Sequence, residues 1–277
     1  MQKILVTTDY SSNSKAAIRF AIQFAAKLKC ELIFYHVYEG FNDDNWNELE
    51  GNEIDGSNLE DRVEKLNKYV ASIYKSNKMR PGKYNCIVES GFDIVGMIQE
   101  YAKRKSCDYI CISTRGGGII NKLIGTTTSA LLKDSSTEVI VVPKNYRIKP
   151  IKDIWYASDM SALKSELSSV QKIAKPFKAE VHVYHYDYMI ELHEVITKLN
   201  KIASKHIAKD IFFHFKKMQI DKTISQHLQR DMIKNKPSLV VLFTRQNRNW
   251  FDRIFNRNNS KEVTFDTKTP LLILRKK

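Results

Sequence analysis

At 277 residues the chain is long enough for two domains of roughly 100–200 residues each. An apolar fraction of 43% with 10% aromatics is the composition of a folded chain, and no run of about 18 apolar residues exists, which excludes a disordered chain and a membrane-spanning helix. The net charge of +14 raises the question of nucleic acid, but the Lys and Arg residues are scattered singly along amphipathic segments, as at Lys164, Lys172, Lys175 and Lys178. That is the pattern of solvated helix faces, so neither nucleic acid nor a membrane is the expected partner.

The predicted elements follow in chain order. The N-terminus runs from Met1 straight into a strand, without a signal-peptide profile. Residues 3–9, Lys-Ile-Leu-Val-Thr-Thr-Asp, form an apolar run that closes on a hydroxyl residue and Asp9, with Ser11 two positions on. Ala17, Phe20, Ala21, Phe24, Ala25 and Leu28 then recur at helical spacing and predict an amphipathic helix. A second apolar strand covers Leu32–Val37 and contains Tyr35-His36. Residues 39–61 hold nine acidic side chains and no Lys or Arg; their first part, 39–57, reads as an acidic surface loop leading into an amphipathic helix over Leu59–Tyr74. A further strand, Tyr109–Thr114, is followed by Arg115, Gly116, Gly117 and Gly118. Gly125-Thr126 then open a segment through Thr127, Thr128 and Ser129 that leads to a last strand, Val139–Val142.

After a linker at Lys144–Pro150 the series restarts. Asp-Ile-Trp-Tyr-Ala-Ser-Asp at 153–159 matches 3–9, with Ser161 standing where Ser11 stood. Leu163, Leu167, Val170 and Ile173 repeat the helical stripe, Val181–Tyr186 repeats the Tyr-His strand, and Leu239–Arg245 matches Tyr109–Arg115. Leu271–Leu274 closes the second copy. Several matches in one order make an internal repeat. Apolar strands alternating with helices predict parallel sheets covered on both faces, with right-handed crossovers and a ligand position at the strand carboxyl ends. Asp9, Asp159, Thr114-Arg115 and Thr244-Arg245 all fall there.

A strand ending in aspartate, a strand ending in His-Val, a Gly-rich loop, and Gly-Thr leading to Val-Ile-Val-Val resemble the universal stress protein family, and the resemblance covers both halves. It implies two tandem Rossmann-like domains, 1–146 and 150–277, each an α/β five-stranded, mainly parallel, doubly wound sheet of the adenine nucleotide α-hydrolase-like type. It also implies ATP or another adenine nucleotide as ligand, held through a G-x2-G-x9-G-[ST] loop whose glycines let backbone N–H groups approach phosphate. Gly125-Thr126 match the end of that motif. The two earlier glycines fall on Ile112 and Arg115, with Gly116 and Gly117 just after, so the Arg115 guanidinium stands in for missing backbone contacts. The resemblance thus points to Thr8, Asp9, Val37, Ser113, Arg115, Gly116, Gly117, Gly125, Thr126 and Thr127 as a nucleotide site in the first copy. An alternative is that the glycines only turn the chain, while Asp9 or Ser11 only caps the first helix.

The second copy has no glycine in its loop, Gln246–Phe251, and Arg257-Asn258 occupy the Gly-[ST] positions, so its site is degenerate. Trp250 and Phe251 would fill or cover that pocket. Arg245, Arg248, Arg253 and Arg257 are the densest basic cluster and read as a solvated face or an acidic-ligand contact.

The other motifs fail. Gly116-x-Gly118-x-x-Asn121 lacks the last glycine of a dinucleotide fingerprint, no P-loop exists, and Asp43-x-Asn45-x-Asn47 lacks the turn glycine and terminal glutamate of a calcium loop. Cys107 and Cys111 read as sharing a strand face too far apart for one ion. His36 and His185 read as strand-end core histidines. No metal or redox cofactor is expected, and no nucleophile–base–orienter set can be assembled. Cys30, Cys86, Cys107 and Cys111 have no framework spacing and read as buried reduced thiols, so the cytoplasm is the expected compartment.

The expected function is a non-enzymatic regulatory or stress-response binding protein. Its halves would pack as an intramolecular pseudo-dimer, with a homodimer and an unidentified protein partner as further possibilities. The alternatives are a protein-interaction module without nucleotide, a nucleic-acid binder, and a nucleotide-hydrolysing enzyme. Thr7-Thr8-Asp9-Tyr10-Ser11-Ser12 lacks the Gly-rich loop that such a hydrolase carries after its first strand.

Overall fold

The structure is a computed structural model, and it describes residues 1–38, 58–114, 126–188, 210–244 and 268–275. Two compact units divide the chain, the change falling between Ile148 and Lys149.

The first unit contains β1 (Lys3–Thr7), α1 (Ser12–Leu28), β2 (Glu31–Tyr38), α2 (Leu59–Ser76), β3 (Tyr84–Ser90), α3 (Ile94–Arg104), β4 (Tyr109–Ser113), α4 (Thr126–Asp134) and β5 (Glu138–Val142). Its five strands lie in the order β3-β2-β1-β4-β5, and every neighbouring pair is parallel. The reversal of direction between β1 and β4 makes the space above their carboxyl ends the topological switch point. Helices α1 and α2 touch each other, as do α3 and α4, the two pairs expected on opposite faces of a doubly wound sheet.

The middle of this sheet is apolar because it is covered on both sides. Ile4, Leu5 and Val6 are inaccessible to solvent, and every residue of β4 is buried. Helix α1 supplies one cover: Phe20 packs on Phe24 and edge-on to Tyr146, whose hydroxyl donates to Gln23 Oε1 at 2.6 Å. Tyr146 thereby ties the chain leaving β5 back onto α1.

The second unit contains β6 (Asp153–Ala157), α5 (Leu163–Ala174), β7 (Glu180–Asp187), β8 (Ile211–Lys217), α6 (Ile224–Asn235), β9 (Leu239–Thr244) and β10 (Leu271–Arg275). Its strands follow the same order, β8-β7-β6-β9-β10, again parallel throughout. Each half is therefore a parallel sheet of the doubly wound kind that the repeat predicts, with the five strands that the family resemblance implies.

Two local expectations change. Cys107 precedes β4 instead of lying on a strand with Cys111, because the chain turns through Ser106 in the left-handed region first. Of the four thiols, Cys86 is only half-buried, on the outermost strand β3. Burial pushes the thiols of Cys30 and Cys107 up to about 11 and that of Cys86 up to about 12, so none is a ready nucleophile.

Candidate functional site

The residues at the carboxyl end of β1 form a tight elbow. The buried Thr8 donates its backbone N–H to Tyr35 O at 3.0 Å and its hydroxyl to Ser14 Oγ at 3.0 Å. Asp9 is exposed, and its Oδ1 accepts both the Ser11 N–H at 3.1 Å and the Ser11 hydroxyl at 2.5 Å. That is an Asx turn, a carboxylate bonding the backbone two residues on. Between them Tyr10 takes a φ of 59°, a left-handed conformation that costs a non-glycine residue about 1 kcal/mol or more. Ser11 then caps α1 by accepting the Ser14 N–H. Partial desolvation raises the Asp9 carboxyl, but the hydrogen bonds around it, led by the two from Ser11 with Ser14 adding to them, together outweigh it and hold the pKa below the ordinary value. Asp9 is thus a fixed negative charge at the switch point.

The neighbouring strand ends complete the rim. His36 Nδ1 lies 2.8 Å from Thr8 O. A carbonyl only accepts, so Nδ1 carries the hydrogen. Desolvation lowers the His36 pKa despite that bond, and the ring is neutral at neutral pH. Val37, next on β2, is half-buried. On β4, Ser113 is buried and its hydroxyl is turned inward, donating to Val142 O at 3.2 Å. Helix α4 begins at Thr126, immediately after Gly125, and the buried Thr128 hydroxyl donates to Ser113 O at 3.4 Å. This contact ties the first turn of α4 to the end of β4; Thr127 is half-buried.

Of the sequence-predicted residues, Thr8, Asp9, Val37, Ser113, Thr127 and the backbone of Thr126 therefore sit at strand carboxyl ends or at the α4 terminus. Arg115, Gly116, Gly117 and Gly125 lie outside the described residues, as do the second copy's Arg245, Gln246–Phe251, Arg253 and Arg257-Asn258, and the acidic segment 39–57.

Sequence reasoning missed an aromatic and cationic group beside Asp9. The Tyr10 ring packs edge-on against His36 at 4.6 Å and Tyr69 at 5.1 Å between centroids. Tyr69 donates its hydroxyl to Ser11 O at 3.3 Å. Lys65 lies 5.6 Å from the Tyr10 ring, Lys15 5.6 Å from Tyr69, and the Arg62 guanidinium 4.2 Å from Tyr38, distances within reach of cation–π attraction. Arg62, Lys65 and Tyr69 recur at helical spacing on α2, which was the available signal.

The second copy repeats the elbow in outline. Ser161 donates its N–H and hydroxyl to Asp159 Oδ1 at 2.9 and 2.7 Å, Met160 takes a φ of 63°, and His185 Nδ1 lies 2.9 Å from Ser158 O. The surroundings differ. Met160 replaces Tyr10, and Asp159 is half-buried where Asp9 is exposed. The Ser158 hydroxyl turns into the core and donates to Tyr156 Oη at 2.8 Å, and Tyr156 in turn donates to the buried Glu166 carboxylate. Among the described residues, no group of three or more His, Cys, Asp or Glu side chains is placed to hold a metal ion. No helix among them is long and apolar enough to cross a membrane.

The comparisons with known proteins agree with this architecture. In fold the whole chain is similar to a universal stress protein from Archaeoglobus fulgidus DSM 4304, with a TM-score of 0.70 at 16% identity, covering 99% of this chain and 98% of that one. It is also similar to a functionally unknown protein from Pseudomonas aeruginosa PAO1, with a TM-score of 0.66 at 13% identity, covering 99% and 92%. No curated protein matches the sequence. The sequence profile of the universal stress protein family matches residues 1–143, more than half of the chain. Together with the duplicated parallel sheet, that match establishes that the chain belongs to the universal stress protein family.

Proposed function

We propose that the chain is a non-catalytic, stress-response regulatory protein that binds one adenine nucleotide, in its first repeat. The observation that carries this reading is Asp9. It is an exposed carboxylate, locked by Ser11 and held ionised at the switch point, one residue from the carbonyl that binds the strand-end His36. A carboxylate in that place accepts hydrogen bonds from the hydroxyls of a ribose, and the N–H groups of a helix N-terminus suit phosphate. The second repeat keeps the aspartate without the open surroundings, which favours a single site per chain. In the first repeat the hydroxyls of Thr8, Ser11 and Ser113 are committed to structural bonds, which favours binding over catalysis.

The Arg115 guanidinium is the proposed phosphate contact in place of two missing glycines. A charge-assisted bond of about 1.5–3 kcal/mol corresponds to one to two orders of magnitude in affinity. Nucleotide titration of wild type, Arg115→Ala and Thr126→Val at one salt concentration tests this. Arg115→Ala is expected to weaken binding by one to two orders of magnitude and Thr126→Val by less, because the helix terminus remains. Unchanged affinity in Arg115→Ala removes the arginine from the mechanism.

A second reading is a protein-interaction module that has lost its nucleotide. The Tyr10 ring favours it, since it lies on His36 and Tyr69 beside Asp9 and offers an aromatic, cation-rimmed surface. Mass spectrometry of small molecules released from the purified protein separates the two, an adenine nucleotide being expected on the first reading and none on the second.

A further inference from the structure

Strand β8 is the outermost strand of the second sheet, and its pairing with β7 sets His182 opposite Phe212 and Tyr184 opposite His214. Residues two apart on a strand share a face, so these four side chains form one patch. His182 Nδ1 lies 2.9 Å from His214 Nε2, with ring centroids 5.2 Å apart and planes 18° apart. Rings that are nearly coplanar and meet at their nitrogens form an N–H···N hydrogen bond, which needs one donor and one acceptor. The lone pairs are aimed along one line and do not converge on a shared ion. The other nitrogen of His182, Nε2, is 3.3 Å from Glu180 Oε2, and a carboxylate only accepts. Phe212 stacks on His182 at 5.1 Å and Tyr184 on His214 at 4.4 Å, which keeps both rings in this plane.

We propose that Glu180, His182 and His214 form a proton-sharing relay that accommodates one positive charge and breaks when a second proton arrives, releasing the edge strand β8 in acid. With His182 as imidazolium, its Nε2–H donates to Glu180 and its Nδ1–H to unprotonated His214. Losing that charge leaves one ring hydrogen on each imidazole, and the N–H···N bond survives. A second proton sets N–H against N–H and brings two cations into contact.

The other titratable and charged groups on this face, among the described residues, include Asp153 of β6, Tyr184 and Tyr186 of β7, Lys216 of β8, and three residues of α6: Asp231, which accepts the Tyr186 hydroxyl at 3.0 Å, His227, whose ring lies 6.1 Å from that of Tyr186, and Arg230, 3.4 Å from Asp231. Desolvation, His182 and Lys216 all lower the His214 pKa. A histidine whose folded pKa is depressed contributes stability that is complete above its unfolded value of about 6.5 and is lost as pH falls through the folded value. Because β7 is the partner of β8 in this sheet and β8 is its outermost strand, loss of the contact acts first on β8.

The test is histidine ring NMR of the full chain from neutral to acid pH, with amide exchange protection of Phe212–Lys216 followed in parallel. The wild type is expected to show His182 and His214 titrating in two coupled steps more than about 1 pK unit apart. Protection of β8 should fall on acidification at least tenfold more than that of β3, the outermost strand of the first sheet. His214→Gln should replace the two coupled steps by one and remove the acid-specific loss in β8, and Glu180→Gln should move the upper of the coupled steps down. His182→Gln provides an independent second variant if His214→Gln does not fold. Two independent overlapping steps in the wild type, or the same acid loss of β8 protection in both histidine variants, overturns the relay.

Discussion

The two elbows, Thr8–Ser11 and Ser158–Ser161, have the same backbone and opposite chemistry. Each has an aspartate bonded to the serine two residues on, a left-handed residue between them, and a histidine tied to the strand-end carbonyl. In the first repeat the buried, apolar Val6 stands where the second has Tyr156, the Thr8 hydroxyl is satisfied locally by Ser14, and Asp9 faces water. In the second, Tyr156 and Glu166 bring a polar chain into the core and draw the Ser158 hydroxyl inward. The comparison teaches that the elbow is a folding motif shared by both halves, and that its availability to a ligand depends on what lies around it.

The largest expected effect breaks the second elbow alone. Tyr156→Phe removes the donor to a buried carboxylate and the acceptor for Ser158, so unfolding of the second repeat should lose about 1–3 kcal/mol. Chemical denaturation measured against wild type checks this, and a loss within error would show that the buried chain is not what distinguishes the two halves.

The capping serines give a smaller contrast. Ser11 caps α1 through its side chain, whereas α5 starts at Ala162 without a side-chain capping bond. Ser11→Ala should therefore cost about 1 kcal/mol, and Ser161→Ala less, since no capping bond is lost there. Equal losses in paired denaturation curves would make the two elbows energetically equivalent.

The mildest contrast is in pH. The buried His227 accepts the Gln219 N–H at Nε2 at 3.1 Å, and an amide can only donate, so this ring must stay neutral. Desolvation and Arg230 lower its pKa, and desolvation lowers that of His36. Both terms are complete above the unfolded value of about 6.5 and fade as pH falls below it. Protonation breaks a bond at His227, whereas at His36 the Nδ1 bond survives. Urea midpoints taken from pH 7.5 downward should fall for both halves, more steeply for the second, and His227→Gln should flatten the second slope.

The parts of this arrangement that could be read in the sequence were those carried by repetition and periodicity. Central strands such as Ile4-Leu5-Val6 and Tyr109–Ser113 are apolar because both faces are covered, and α5 falls on the predicted stripe. The outermost strands β3 and β8 gave no such run. Tyr84–Ser90 and Ile211–Lys217 carry polar residues and are mostly half-exposed, as strands at a sheet margin are. At the site, Asp9 stood out as the end of a repeated strand. Tyr10 and Tyr69 did not, because they meet only when α2 folds back over the elbow, a contact between residues far apart in sequence. Hydroxyl direction was equally hidden: Thr8 and Ser113 were identified as residues, but their bonds to Ser14 and Val142 depend on packing.

The measurement that tests the central claim most directly is calorimetric titration of ATP into wild type, Asp9→Ala and Asp159→Ala. The account predicts one site per chain, binding weakened at least tenfold in Asp9→Ala, and wild-type affinity in Asp159→Ala. A stoichiometry near two, or affinity lost in Asp159→Ala and kept in Asp9→Ala, would contradict it.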